Sequence, residues 1–167
     1  VRWLAPVLSF TADEVWRSMP GERADSVHLE TYYALPQPAD AEALRGQWTT
    51  LRAVRHAVDT ALEPLRSAKT IGASLDAAVT LYADGELGGL LTDFGDELRF
   101  MLLTSDVTVR PAADAPADAH RDADTGVAVA VAVCEDAKCD RCWHRRESVG
   151  SNLDHPDLCR RCVTNVE

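Results

Sequence analysis

Two cysteine pairs, Cys139-x-x-Cys142 and Cys159-x-x-Cys162, constrain this chain more than any other feature. Sixteen residues separate them. A C-x-x-C knuckle turns tightly enough that both sulfurs face one centre, and two facing knuckles supply the tetrahedral S₄ shell that zinc prefers. A segment this short cannot bury a core of its own, so metal binding has to supply folding free energy, on the order of 10 kcal/mol. The expectation is one structural zinc held by Cys139, Cys142, Cys159 and Cys162. Four thiolates leave no open position for water or substrate, which argues against a catalytic zinc. A rubredoxin-type iron centre uses the same ligands and is the lesser alternative. Two disulfides would need an oxidising compartment, and nothing in the sequence indicates one. Cys134 ends an apolar run five residues before the first knuckle and is expected to be buried and inert. With the shell complete, His144 is given no metal role.

The chain has 167 residues and is 46% apolar, enough for one ordinary domain or two small ones. No apolar run approaches the roughly 20 residues that would cross a bilayer. The start, VRWLAPVLSF, has no signal-peptide pattern. Cysteines used as metal knuckles fit a reducing cytoplasm. The chain begins without Met inside a helix-like stretch, so a piece of something longer is expected. The formal charge of −10 speaks against a nucleic-acid partner until its distribution is seen. The first 137 residues carry −11, and the last segment holds six basic against five acidic residues. Arg141, Arg145, Arg146, Arg160 and Arg161 cluster beside the cysteines.

Along the chain, Thr11-Ala-Asp-Glu14 reads as a capping box, with Phe10 and Val15 as a hydrophobic staple. The helix it opens should run past Trp16 to Pro20-Gly21. Pro6 limits any earlier helix, and residues 21–39 read as a connection. From Asp40, Leu44, Trp48, Leu51, Val54, Val58, Leu62 and Leu65 fall on one face of a long amphipathic helix, with a kink or stop at Pro64. His56 should face solvent. After a turn at Ile71-Gly72, residues 77–82 read as a strand, 87–103 as helix and 107–109 as a short strand. Residues 111–125 read as a mobile loop. VAVAVAVC, after Gly126, is apolar on both faces and reads as a buried strand. The fold class is therefore α+β, with a helical segment, a small α/β segment and a C-terminal four-cysteine zinc finger. The expected divisions are 1–70, 71–133 and 134–167.

No Ser–His–Asp grouping, P-loop or G-x-G-x-x-G occurs, and no catalytic residues are assigned. His155-Pro156 reads as a turn. Arginine forks fixed beside a metal knuckle suit phosphate oxygens, which slightly favours nucleic-acid contact over pairing with Asp140, Asp154 and Asp157. Trp143 can stack on a base; taken alone, packing against the adjacent segment is its stronger reading.

The run Cys139-Asp-Arg-Cys-Trp-His144, with Cys159-Arg-Arg-Cys-Val163, resembles the C-terminal zinc finger of bacterial isoleucyl-tRNA synthetases. VRWLAPVLSFTADEVW is similar to a helix of that family's anticodon-binding domain, and IGASLDAAVTLYA and GDELRFMLLTS resemble the small α/β segment after it. The likeness runs the length of the chain in the right order. It implies that residues 1–70 end a helical anticodon-binding bundle. It also implies a monomeric ligase that joins isoleucine to its tRNA using ATP, with ATP and isoleucine bound only in a catalytic domain elsewhere. The H-I-G-H-like and K-M-S-K-S-like motifs of class I synthetases do not occur here. This piece would hold the anticodon end of the tRNA, with Arg141, Arg145, Arg146, Arg160 and Arg161 on phosphates and Trp143 as a stacking platform. Formamidopyrimidine-DNA glycosylases carry a similar finger, but the upstream sequence lacks their helix–two-turn–helix element. A zinc ribbon for protein–protein contact is a further alternative.

Overall fold

The computed structural model describes all of residues 1–167. They form two compact units, Val1–Ala41 and Glu42–Glu167.

In the first unit, α1 (Ser9–Ser18) follows a run of turns. The expected capping box does not form. Leu8 is the N-cap, no side chain caps the helix, and Phe10 is 93% exposed, so the staple is absent as well. The physical reason is that the chain is already turned upstream. The amides of Leu4, Ala5, Val7 and Leu8 bond to the carbonyls of Val1 and Leu4, and the Ala12 N–H bonds to the Leu8 carbonyl at 2.8 Å. The helix therefore begins before Thr11 and ends ahead of Pro20-Gly21 as expected. Trp16 is buried with Ala5, Ala12 and Val27. Its Nε1–H donates to the Ala24 carbonyl at 2.8 Å, and the Arg2 and Arg23 guanidinium groups lie 5.4 and 5.1 Å from its ring centre. Asp13 accepts from the Ser26 hydroxyl at 2.6 Å and the Val27 N–H at 3.1 Å, which closes the connection back onto α1. That hydroxyl is the main reason the Asp13 carboxyl lies below its ordinary value.

In the second unit, α2 (Ala41–Ser67) buries Leu51, Val54, Val58 and Leu62 as the periodicity requires, and Ala57 with them. His56 is exposed. Trp48 is 45% exposed and meets Phe94 edge-on at 6.3 Å. Pro64 does not stop the helix. It forfeits the bond to the Thr60 carbonyl, but the Ala68 N–H still reaches the Pro64 carbonyl at 3.0 Å, so one more turn forms. The end is a Schellman motif. Lys69 adopts φ 58°, its N–H bonds to the Arg66 carbonyl at 2.9 Å, and the Thr70 N–H bonds to the Leu65 carbonyl at 2.9 Å.

β1 (Ala77–Tyr82) leads into α3 (Gly85–Phe94), α4 (Leu98–Leu102) and β2 (Asp106–Arg110). The expected single helix over 87–103 is split at Gly95, whose φ of 50° and ψ of −133° lie far from α-helical values, and a 3-10 turn over Gly95–Glu97 leads into α4. The segment 111–125 is not wholly loop: a 3-10 turn spans Ala112–Asp114, and β3 (His120–Arg121) pairs with β4 (Ala128–Val133). The sheet order is β2-β1-β4-β3, with β1 parallel to β2 and antiparallel to β4. The register aligns Val107, Val79 and Val131 in one row and Val109, Leu81 and Val129 in the next. These side chains share one face with the residues packed from α2, α3 and α4. β4 corrects the expectation of a strand buried throughout. Its valines take the core face and its alanines the other, and burial is lost by Ala132 and Val133, because two-residue β3 covers only Ala128 and Val129.

Candidate metal centre and its arginine surround

The finger starts where β4 ends. The Cys134 N–H bonds to the Asp76 carbonyl at 2.8 Å, tying the exit of the strand to the turn before β1. Cys134 is buried, as expected, and burial pushes its thiol up. The first knuckle closes when the Trp143 N–H reaches the Cys139 carbonyl at 2.8 Å and the Cys139 N–H reaches the His144 carbonyl at 2.9 Å. The second closes with the Cys162 and Val163 N–H groups on the Cys159 carbonyl at 2.8 and 3.0 Å, where α5 (Arg160–Thr164) begins. The Asp140 N–H bonds to the Asp157 carbonyl at 3.1 Å and holds the knuckles face to face.

The sulfurs of Cys139, Cys142, Cys159 and Cys162 all lie within 4.8 Å of one another. All five cysteines are free thiols, so the disulfide alternative does not hold. The Cys142 and Cys159 sulfurs are 3.7 Å apart. A disulfide requires about 2.05 Å. An S₄ tetrahedron with metal–sulfur bonds of about 2.3 Å has an edge of about 3.8 Å. The donor set therefore fits a tetrahedral thiophilic cation. Burial acts to raise the Cys139 thiol, but the N–H groups of Cys142, Cys159 and Arg141 outweigh it and bring the thiol down to about 6. Burial, with the neighbouring sulfurs, pushes Cys142 up to about 12. Metal binding would displace the protons that the thiols hold.

His144 stands outside the sulfur cluster. It is buried, its Nδ1 lies 3.2 Å from the Cys142 carbonyl, and its ring meets Phe100 edge-on at 5.1 Å. Trp143 does not pack against a neighbour. It is 61% exposed in a left-handed conformation, φ 65°, with only the Lys138 ammonium over its ring at 5.3 Å.

The five arginines divide. Arg145 donates through Nε to Asp76 Oδ1 at 3.0 Å. Arg146 donates to Asp106 Oδ1 and Asp96 Oδ1, both at 3.3 Å, and to the Ser105 carbonyl at 3.1 Å. None of these acids is Asp140, Asp154 or Asp157. Arg141 turns onto the cluster, its Nη1 lying 3.8 Å from Cys162 Sγ. Arg161 lies over the Phe100 ring at 4.6 Å with its N–H donors uncommitted, and the Arg160 side chain is exposed without an ion pair. Arg146, Arg160 and Arg161 open, with Arg99 and Asp96, onto a cleft of about 730 Å³. Sequence reasoning missed Asp76, Asp96, Ser105 and Asp106, which lie 40 to 69 residues from the arginines they hold. No local pattern announces such pairs.

Paired knuckles behind a small α/β segment and a long helix define a four-cysteine accessory module with no catalytic constellation of its own. Residues 137–165 match the family described as "Zinc finger found in FPG and IleRS", and residues 1–81 match "Anticodon-binding domain of tRNA ligase". Along its full length the chain is similar in sequence to a stretch of isoleucine–tRNA ligases. It is 50% identical over 169 residues to an isoleucine–tRNA ligase of Pseudomonas aeruginosa, 49% over 168 to one of Teredinibacter turnerae and 48% over 169 to one of Shewanella pealeana. All of this chain is covered in each case, and 18% of the relative. The anticodon-domain match disfavours the glycosylase alternative. No helix is long and apolar enough to cross a membrane.

Proposed function

We propose that this chain is the tRNA-holding, non-catalytic part of an isoleucine–tRNA ligase, and that one structural zinc bound by Cys139, Cys142, Cys159 and Cys162 keeps its RNA face in shape. When bound, zinc supplies a rigid, redox-inert crosslink and no reaction chemistry. The protein's own residues do the rest. The knuckle turns present Trp143 to solvent as a platform for an unstacked base, and α5 presents Arg160 and Arg161 toward phosphates. Holding the anticodon end sets where the acceptor end lies relative to the reaction centre. Ligation of isoleucine, with its use of ATP, is assigned to residues outside this stretch, in a cytoplasmic, monomeric enzyme. The three segments 1–70, 71–133 and 134–167 are the working divisions of this reading. The observation that carries it is the convergence of four sulfurs within 4.8 Å directly behind an exposed indole and two uncommitted arginines.

The test is made in the full-length ligase. Cys159→Ser and Cys162→Ser should each lose the metal and lower tRNA charging by about tenfold or more. Isoleucine-dependent exchange of pyrophosphate into ATP should survive at the parent rate. Equal loss of exchange and charging would reject a tRNA-holding role, since the finger would then be sustaining the catalytic fold.

A further inference from the structure

The finger is attached to the sheet at two consecutive residues. The Arg145 N–H donates to the Ser105 hydroxyl at 2.6 Å, and that hydroxyl donates to the Leu75 carbonyl at 2.5 Å. The Arg145 side chain reaches Asp76 at the entrance to β1. The Arg146 side chain spans Ser105 and Asp106 at the entrance to β2 and Asp96 just before α4. Both arginines sit on the segment that leaves the first knuckle, bridged back to Lys138 on its other side. Ser105 is fully buried, and the arginine side chains are about two-thirds to three-quarters buried. Each guanidinium therefore spends its donors on carboxylates and carbonyls of the same chain, the geometry a phosphate would otherwise occupy. Asp76 and Asp96 are both lowered. Their largest causes are the Ala73 N–H and the Arg99 guanidinium, with Arg145 and Arg146 adding to them.

We propose that Arg145 and Arg146 are positioning residues, a two-arginine clamp that fixes the metal knuckle to the first residues of β1 and β2, and that they do not contact RNA phosphates. Of the five arginines, Arg160 and Arg161 are left for RNA, with Arg141 over the sulfurs. The RNA half of this statement rests on the function proposed above; the clamp itself does not.

The two roles differ in the sign of one substitution. Removing Asp106 deletes a negative charge. If Arg146 were a phosphate contact, Asp106→Ala would free it and tighten tRNA binding. For a clamp, the same change loosens the finger and weakens binding. The experiment uses the metal-loaded full-length protein, tRNA for isoleucine at several salt concentrations, and the rate of metal release to a chelator. Arg146→Ala and Asp106→Ala should each weaken tRNA binding about two- to fivefold, with the parent's salt slope, and should speed metal release. The double variant should be no worse than either single one. Arg160→Ala and Arg161→Ala should flatten the log–log salt slope by about 0.7 to 0.9 each and leave metal release unchanged. A flattened slope for Arg146→Ala together with tighter binding for Asp106→Ala would overturn the clamp. If the parent had no affinity for tRNA, the proposed function would fall. Metal release would then decide the clamp alone, and unchanged release in both variants would reject it. Should Arg146→Ala fail to fold, Asp106→Ala carries the same test.

Discussion

Trp143 is the residue where conformation and exposure disagree most with ordinary economy. A bulky aromatic at φ 65° costs on the order of 1–2 kcal/mol, and here the side chain buries little in return. The knuckle enforces the turn, because the Trp143 N–H must reach the Cys139 carbonyl. Trp143→Ala is expected to weaken tRNA binding roughly tenfold, the value of one stacked base, without changing metal content. Parallel binding and metal assays check this; unaltered affinity would remove Trp143 from the interface. At this scale the cysteines were legible because their spacing is local and their chemistry admits few partners. The arginine roles were not. Charge beside the knuckles is visible in the sequence, but the carboxylates that consume it come from the entrances of β1 and β2 and the start of α4.

At the scale of single elements, two glycine questions have opposite answers. Lys69 occupies the left-handed position of the α2 Schellman motif, where glycine avoids the Cβ penalty. Lys69→Gly should stabilise the fold by about 1 kcal/mol, read as a higher denaturation midpoint at unchanged m-value. Gly88 is the reverse. A Cβ there would meet the Ala83 carbonyl oxygen at 2.7 Å, a backbone atom that cannot swing aside. Gly88→Ala should cost about 1–3 kcal/mol in the same assay, despite alanine's higher helix propensity. Periodicity revealed α2 and β1 because their burial is one-sided and regular. It overran Gly95, since Leu91, Leu98 and Leu102 keep apolar spacing on both sides of a broken backbone. The false capping box at Thr11 has a similar origin. Side-chain pattern was read where the backbone carbonyl of Leu8 already takes the Ala12 N–H.

For the molecule as a whole, the formal charge of −10 disfavours long-range attraction to RNA, so the proposed binding would depend on short-range contacts such as those of the finger. The Arg160 and Arg161 side chains flank the four-cysteine cluster, while three acids on the sheet side consume Arg145 and Arg146. The central claim is that the four convergent thiols hold one zinc that braces this face. Metal analysis with X-ray absorption on freshly reduced protein tests it most directly. One zinc per chain with four sulfur neighbours at about 2.3 Å is expected. A chain without metal, or one with nitrogen or oxygen in the shell, would contradict it.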